Sequence, residues 1–192
     1  MKSKQTLPVG YREIYSVDLQ KDKKPAVLVN VLAIIIAVVL FLPANRYIPL
    51  TTLFNIGVSE SLYFARLGVI VGGIIFYMIL HELVHGLAMK IFGTKKVKYG
   101  FTGMYAYAGS DDYYDKKSYI IIALAPIVVW GIVLAIINVL VPYEWFWVVY
   151  LIQLINLSGA AGDLFVTVRF SKMPKDILVR DYGVGMTVYS AE

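Results

Sequence analysis

The sequence predicts an all-α polytopic membrane protein: four transmembrane helices with a small cytoplasmic strand or hairpin element. Three observations carry this. The 192 residues are 59% hydrophobic and 16% charged, with a mean hydropathy of +0.69, which excludes an ordinary soluble domain. Four apolar runs of about 17 to 31 residues follow one another, each long enough to cross a bilayer as a helix. Between and beyond them lie short stretches in which apolar and polar residues alternate, the period of a strand. The whole chain reads as one integral membrane domain, 1–192.

Residues 1–25 are polar and rich in Lys. Within Tyr11 to Leu19, Tyr11, Tyr15, Val17 and Leu19 fall on one side of a period-two pattern, so a short strand is expected. A signal peptide is not: the apolar run begins too late and no small-residue cleavage site follows it. The first span runs from Ala26 to Leu42, with Pro25 marking its start and Pro43 its end. Residues 43–62 form a polar and aromatic connection, in which Leu53 to Val58 could dip into the interface.

The second span covers Leu62 to Phe92 and is long enough to tilt. Gly72-Gly73 would bend it or admit a close neighbour, and Arg66 near its outer end would snorkel. In residues 93–117, Val97, Tyr99, Phe101, Tyr105 and Tyr107 alternate with smaller or polar residues, which predicts a hairpin turning near Thr102-Gly103. Asp111, Asp112 and Asp115 read as a solvated charge cluster. The third span is Tyr119 to Val141, with Pro126 as a kink; the fourth is Trp145 to Val168, behind an aromatic belt of Tyr143, Trp145, Trp147 and Tyr150. The tail becomes strand-like from Met186 to Tyr189.

Sixteen of the eighteen cations lie in the N-terminal segment, in 90–117 or in the tail; only Arg46 and Arg66 fall between. By the positive-inside rule those regions are cytoplasmic. A multi-pass protein of the cell membrane with both termini cytoplasmic is therefore expected. The net charge of +5 then reflects loops facing anionic lipid rather than nucleic-acid binding. The absence of Cys excludes disulfides, thiolate metal sites and cysteine nucleophiles.

The second span carries His81-Glu82-Leu83-Val84-His85, which uses both histidines of the chain. On a helix the two imidazoles share a face one turn apart and can grip one Zn²⁺. Glu82 is rotated roughly 100° from His81, so it can reach a water at the metal without being a ligand, as a general base must. A Glu and two His in a hydrocarbon setting are costly, which favours a functional reading over a chance match.

A third ligand follows from topology. Spans two and four run in the same direction. His85 precedes Lys90 by about 7 Å of helix, and Asp163 precedes Arg169 by about 9 Å, so the two sit at similar depth near the cytoplasmic surface. Asp163 is the only carboxylate inside spans three and four, and Gly159, Ala160, Ala161 and Gly162 would let span four approach span two. The expected site is His81, His85 and Asp163, with water as fourth ligand. The plainer alternative for Asp163 is a helix cap or a Lys pair. Asn156, two turns before Asp163, either steadies a substrate carbonyl or is a helix-packing amide.

These residues carry a resemblance. The opening LPVGYREIYSVDL, the HELVHG stretch, the Gly-Asp of the last span and the strand-like tail make the chain similar to a family of small bacterial membrane proteins described as "putative zincin peptidase". HELVH on one helix with Asn156 and Asp163 on a later one also resembles the site-2 protease clan of intramembrane zinc metallopeptidases. The chain departs from that clan in having no Pro between Asn156 and Asp163, and Gly before rather than after the Asp. The resemblance implies His81 and His85 as ligands, Glu82 as catalytic base and Asp163 as third ligand.

The expected function is an intramembrane zinc metallopeptidase that hydrolyses peptide bonds of membrane proteins or peptides near the cytoplasmic face. The strand within Val97 to Ala108 would either offer its edge to an extended substrate or pair with the terminal strands. The alternative is a divalent-metal sensor or transporter without proteolysis.

Overall fold

A computed structural model describes residues 3–54, 60–103 and 106–191 of the chain. It is mostly helical, at 63%. The order is β1 (Arg12–Asp18), α1 (Lys23–Tyr47), a 3-10 turn (Leu50–Phe54), α2 (Glu60–Ile91), β2 (Lys98–Phe101), β3 (Ala106–Gly109), β4 (Tyr113–Asp115), α3 (Lys116–Leu140), a second 3-10 turn (Tyr143–Trp145), α4 (Phe146–Gly159), α5 (Ala161–Ser171), β5 (Leu178–Asp181) and β6 (Gly185–Ser190). Four helical segments are long and apolar enough to cross a membrane: Lys23–Tyr47, Glu60–Ile91, Lys116–Leu140 and Tyr143–Ser171.

Three expectations about the extent of the elements change. Pro43 lies inside α1 rather than ending it, and the helix continues to Tyr47. Nearby, Tyr150 donates its hydroxyl to the Leu40 carbonyl at 2.9 Å, one turn before the proline. The fourth span is interrupted at Ala160, where Ser158-Gly159-Ala160-Ala161-Gly162 offers little side-chain bulk and two weak helix formers. The strand element is larger than one hairpin. A four-stranded antiparallel sheet has the order β1-β6-β5-β4, and β2-β3 form a separate antiparallel pair. The possible interfacial dip at Leu53–Val58 and the strand position of Tyr105 fall partly or wholly outside the described residues.

The chain divides into two compact units. The first comprises 1–29, 80–126 and 162–192. Its core joins the last turns of α2, the first turns of α3, α5 and the four-stranded sheet through Met89, Tyr114, Tyr119, Ile122, Phe170, Val179 and Val188. Its ends are tied by charge. Asp115, read from sequence as solvated, caps α3 by accepting from the Lys117 and Ser118 amides at 3.1 Å each. Lys116 donates to the Ser171 and Met173 carbonyls at 2.7 Å each, which satisfies the end of α5. Asp111 pairs with Lys98 at 2.6 Å and Arg180 at 2.8 Å, and Asp112 accepts from Ser3 Oγ at 2.8 Å.

The second unit comprises 30–79 and 127–161. Trp147, Val148, Ile48, Leu53 and Ile70 form its core, and the Trp147 indole donates to the Ile48 carbonyl at 3.0 Å. Arg66 does not snorkel outward. It is 2% exposed, with its guanidinium 5.9 Å from the centre of the Trp145 ring. Gly73 is the close-approach glycine, since a Cβ there would stand 2.6 Å from Ile152 Cδ1; Gly72 faces open space.

Candidate metal centre

His81 and His85 leave one face of α2 as spacing requires, with their rings 4.8 Å apart and nearly perpendicular. Asp163 enters from the first turn of α5. Its two oxygens divide between the two rings: Oδ2 lies 3.4 Å from His81 Nε2 and Oδ1 lies 3.5 Å from His85 Nε2. All three ligand atoms fall within 4.8 Å of one another. Ligand atoms sharing one zinc with bonds of ~2.1 Å at tetrahedral angles stand about 3.4 Å apart, so a set within 4.8 Å reaches that spacing by small side-chain rotations. The site is not sealed within the protein, as the side chains of His81, His85 and Asp163 are 12%, 11% and 23% exposed.

The orientation of His85 fits the same purpose. Its Nδ1 is 2.9 Å from the Ile122 carbonyl on α3. A carbonyl can only accept, so Nδ1 carries the hydrogen and Nε2 is the ring nitrogen that a metal would take. Two nitrogen donors, one carboxylate and no sulfur make a hard-to-borderline set that zinc accepts.

Glu82 lies close to these three donors without being one of them. The backbone N–H of Ala108 on β3 donates to its carboxylate. The β2-β3 pair is brought against α2 because Gly86 has no side chain: a Cβ there would collide with the Tyr99 hydroxyl. Thus the glycine of HELVHG admits β2, and β3 beside it reaches Glu82.

Asn156 lies in the second unit and is fully buried. It accepts from the Tyr77 hydroxyl at 2.9 Å and donates to Gln153 Oε1 at 3.2 Å, and Gln153 in turn donates to the Gly131 carbonyl at 3.1 Å. In this state its amide is engaged in packing among helices of that unit.

Three features near the donors left little sequence signal. The Ile122 carbonyl and the Ala108 amide are backbone groups. Asp181, on β5, accepts from the Tyr119 hydroxyl at 2.7 Å and from the Gly183 amide at 2.8 Å. Burial pushes the Asp181 carboxyl up to about 6. Only the turn signal Asp181-Tyr182-Gly183 hinted at it, and Gly183 indeed has φ +103°.

His-Glu-x-x-His on one helix beside a half-buried Asp on another is a donor set that could hold a metal ion, of the kind zincins present. The chain belongs to the family described as "Putative zincin peptidase", whose pattern matches residues 74–178, more than half of the sequence. It is also similar to the "Uncharacterized 24.7 kDa protein in gap 5'region" of Pyrococcus woesei, with 34% identity over 118 residues. That match covers 59% of this chain and 51% of the relative, so the chain spans about half the relative's length. No solved structure matches the chain.

Proposed function

We propose that this chain is an intramembrane zinc metallopeptidase, related in its chemistry to the site-2 protease clan, that cleaves membrane-associated substrates near the cytoplasmic face. The observation that carries the reading is the convergence of His81, His85 and Asp163 with Glu82 one residue from the first ligand. Family membership supports the peptidase class.

His81 Nε2, His85 Nε2 and the Asp163 carboxylate would hold the zinc. When bound, zinc makes water more acidic and polarises a carbonyl. Glu82 accepts the proton that the attacking water loses as its oxygen bonds to the scissile carbonyl carbon. It then delivers that proton to the amine nitrogen as the C–N bond breaks. The Ala108 N–H orients the carboxylate for both transfers. Ile122 keeps His85 in the tautomer that leaves Nε2 free. Among the described residues β2-β3 pair only with each other, not with the terminal strands, so an edge of this pair is left for an extended substrate. Asn156 would meet a substrate carbonyl only by giving up Tyr77, and we keep it as a candidate on those terms.

The experiment is metal analysis and hydrolysis on detergent-purified protein, with fluorescein-labelled casein as probe. About one zinc per chain and chelator-sensitive release of fluorescent peptides are expected, by the ligand count of catalytic zinc sites. Zinc-free protein prepared without chelators would overturn the reading.

The orientation is tested separately. The chain has no Cys, so a single introduced thiol is unambiguous. Lys96→Cys, at an exposed position, should react with an impermeant maleimide only when the cytoplasmic face is opened, and the exposed Tyr143→Cys should react from outside. The reverse pattern would invert the topology.

A further inference from the structure

The β2-β3 pair shares no ladder with the four-stranded sheet, yet its Ala108 amide must stay in register with Glu82. Tyr99 on Gly86 steadies one side. Further contacts come from the turn between β5 and β6. The Ser110 amide, just past β3, donates to the Asp181 carbonyl at 2.7 Å. Gly109 lies directly on that turn: a Cβ there would stand 2.6 Å from both the Gly183 nitrogen and the Tyr182 carbonyl carbon. The Tyr107 ring fills the space over Gly183, which a side chain at 183 would invade. The nearby Asp111 pair with Lys98 and Arg180 is largely exposed and adds little.

The turn is fastened through the Asp181 side chain. Its carboxylate takes the Gly183 amide within the turn and the Tyr119 hydroxyl from α3. Tyr119 is 3% exposed and stands one turn before Ile122, the residue whose carbonyl fixes His85. One short stretch of α3 therefore holds His85 directly and β3 by way of Asp181. Burying a carboxylate is costly unless it is bonded, and here two donors meet it. Asp181 and Gly183 lie beyond the residues matched by the family pattern, which end at 178.

We infer that Asp181 is a positioning residue: it locks the β5-β6 turn to α3 and to the end of β3, and thereby holds the Ala108 amide against Glu82. Its bearing on catalysis rests on the reading of Glu82 as general base; its bearing on β3 does not.

The test uses the full-length, zinc-loaded protein and three variants: Asp181→Ala, Tyr119→Phe, and Gly183→Ala, which drives a methyl group into the Tyr107 ring. Amide hydrogen exchange across 106–109 is the first readout, and it needs no substrate. Asp181→Ala should speed exchange there by at least about tenfold, the mark of local rather than global opening, while 81–88 stays protected and zinc content is unchanged. Gly183→Ala should give the same local pattern. Tyr119→Phe, which deletes one of the two bonds, should give a smaller effect. On casein, kcat should fall by about 10²-fold with KM unchanged, as a displaced catalytic contact would produce. Wild-type exchange at 106–109 in folded Asp181→Ala would overturn the inference. If Asp181→Ala does not fold, Tyr119→Phe and Gly183→Ala decide by the same exchange readout. A wild type that is inert on casein would count against the peptidase reading alone, and the exchange result would still decide the role of Asp181 in holding β3.

Discussion

Glu82→Gln should retain about one zinc per chain and lose hydrolysis by about 10²- to 10⁴-fold, the range a positioned general base contributes. The retention follows from geometry. The candidate ligand atoms belong to His81, His85 and Asp163, and Glu82, beside them with the Ala108 amide at its carboxylate, is not among them. Gln preserves the shape, and its side-chain oxygen can still accept from Ala108, so β3 keeps its place. What is removed is the capacity to take a proton from water. A fall in kcat with KM near its original value would mark a loss confined to the transition state. The same variant separates the alternative function. A divalent-metal transporter that used Glu82 as a relay group would show reduced metal flux in vesicles and no hydrolysis before or after the substitution. Zinc loss in Glu82→Gln would mean that the carboxylate is a ligand, and the proposed division of roles would fall.

The same residues show how far a sequence can be read. The His81–His85 relation is local, one helical turn, and periodicity alone gives it. Asp163 was reachable for a different reason. Hydrocarbon-depth segments carry so few carboxylates that a single one stands out, and the cation markers Lys90 and Arg169 place it on a common scale with His85. The structure brings Asp163 beside both rings, in the first turn of α5. The interruption before α5 was not legible, because a run of small residues is as compatible with close helix packing as with a break.

The strands divide in the same manner. β1 and the β2-β3 hairpin announce themselves by alternation, and Gly103 turns the hairpin with φ +88°. β4 and β5 have three and four residues and no period to detect; they exist because β6 and each other offer partners distant in sequence. Asp181 shares their obscurity, since its hydroxyl partner Tyr119 is 62 residues away. Pro43 misled for a physical reason as well. A proline removes one helical hydrogen bond but does not forbid continuation where neighbouring helices meet the freed backbone.

Asp163→Ala should cost zinc outright. The carboxylate is the only anionic donor among the three, and its oxygens lie 3.4 and 3.5 Å from the two imidazole nitrogens. Its removal leaves two neutral nitrogens on one helix, fewer protein donors than a catalytic zinc site ordinarily has. Loss of a group that only hydrogen-bonds to a ligand lowers metal affinity by about 10- to 100-fold, and loss of a ligand should exceed that. Dialysed Asp163→Ala should therefore carry well under one zinc per chain, with hydrolysis lost in proportion. Asp163→Asn offers a finer comparison, as it keeps an oxygen donor of similar reach and discards the charge. If Asn holds zinc weakly and Ala holds none, both the oxygen and its charge contribute. The helices should survive either change, because the first unit's core of Met89, Ile122, Phe170 and Val188 does not include Asp163. Circular dichroism and the detergent-phase thermal midpoint establish that separately. Full zinc occupancy in folded Asp163→Ala would remove Asp163 from the ligand set and turn attention to the water-accessible carboxylates of the β3–β4 connection, Asp111 and Asp112. Their present bonds to Lys98, Arg180 and Ser3 make that outcome the less favoured one.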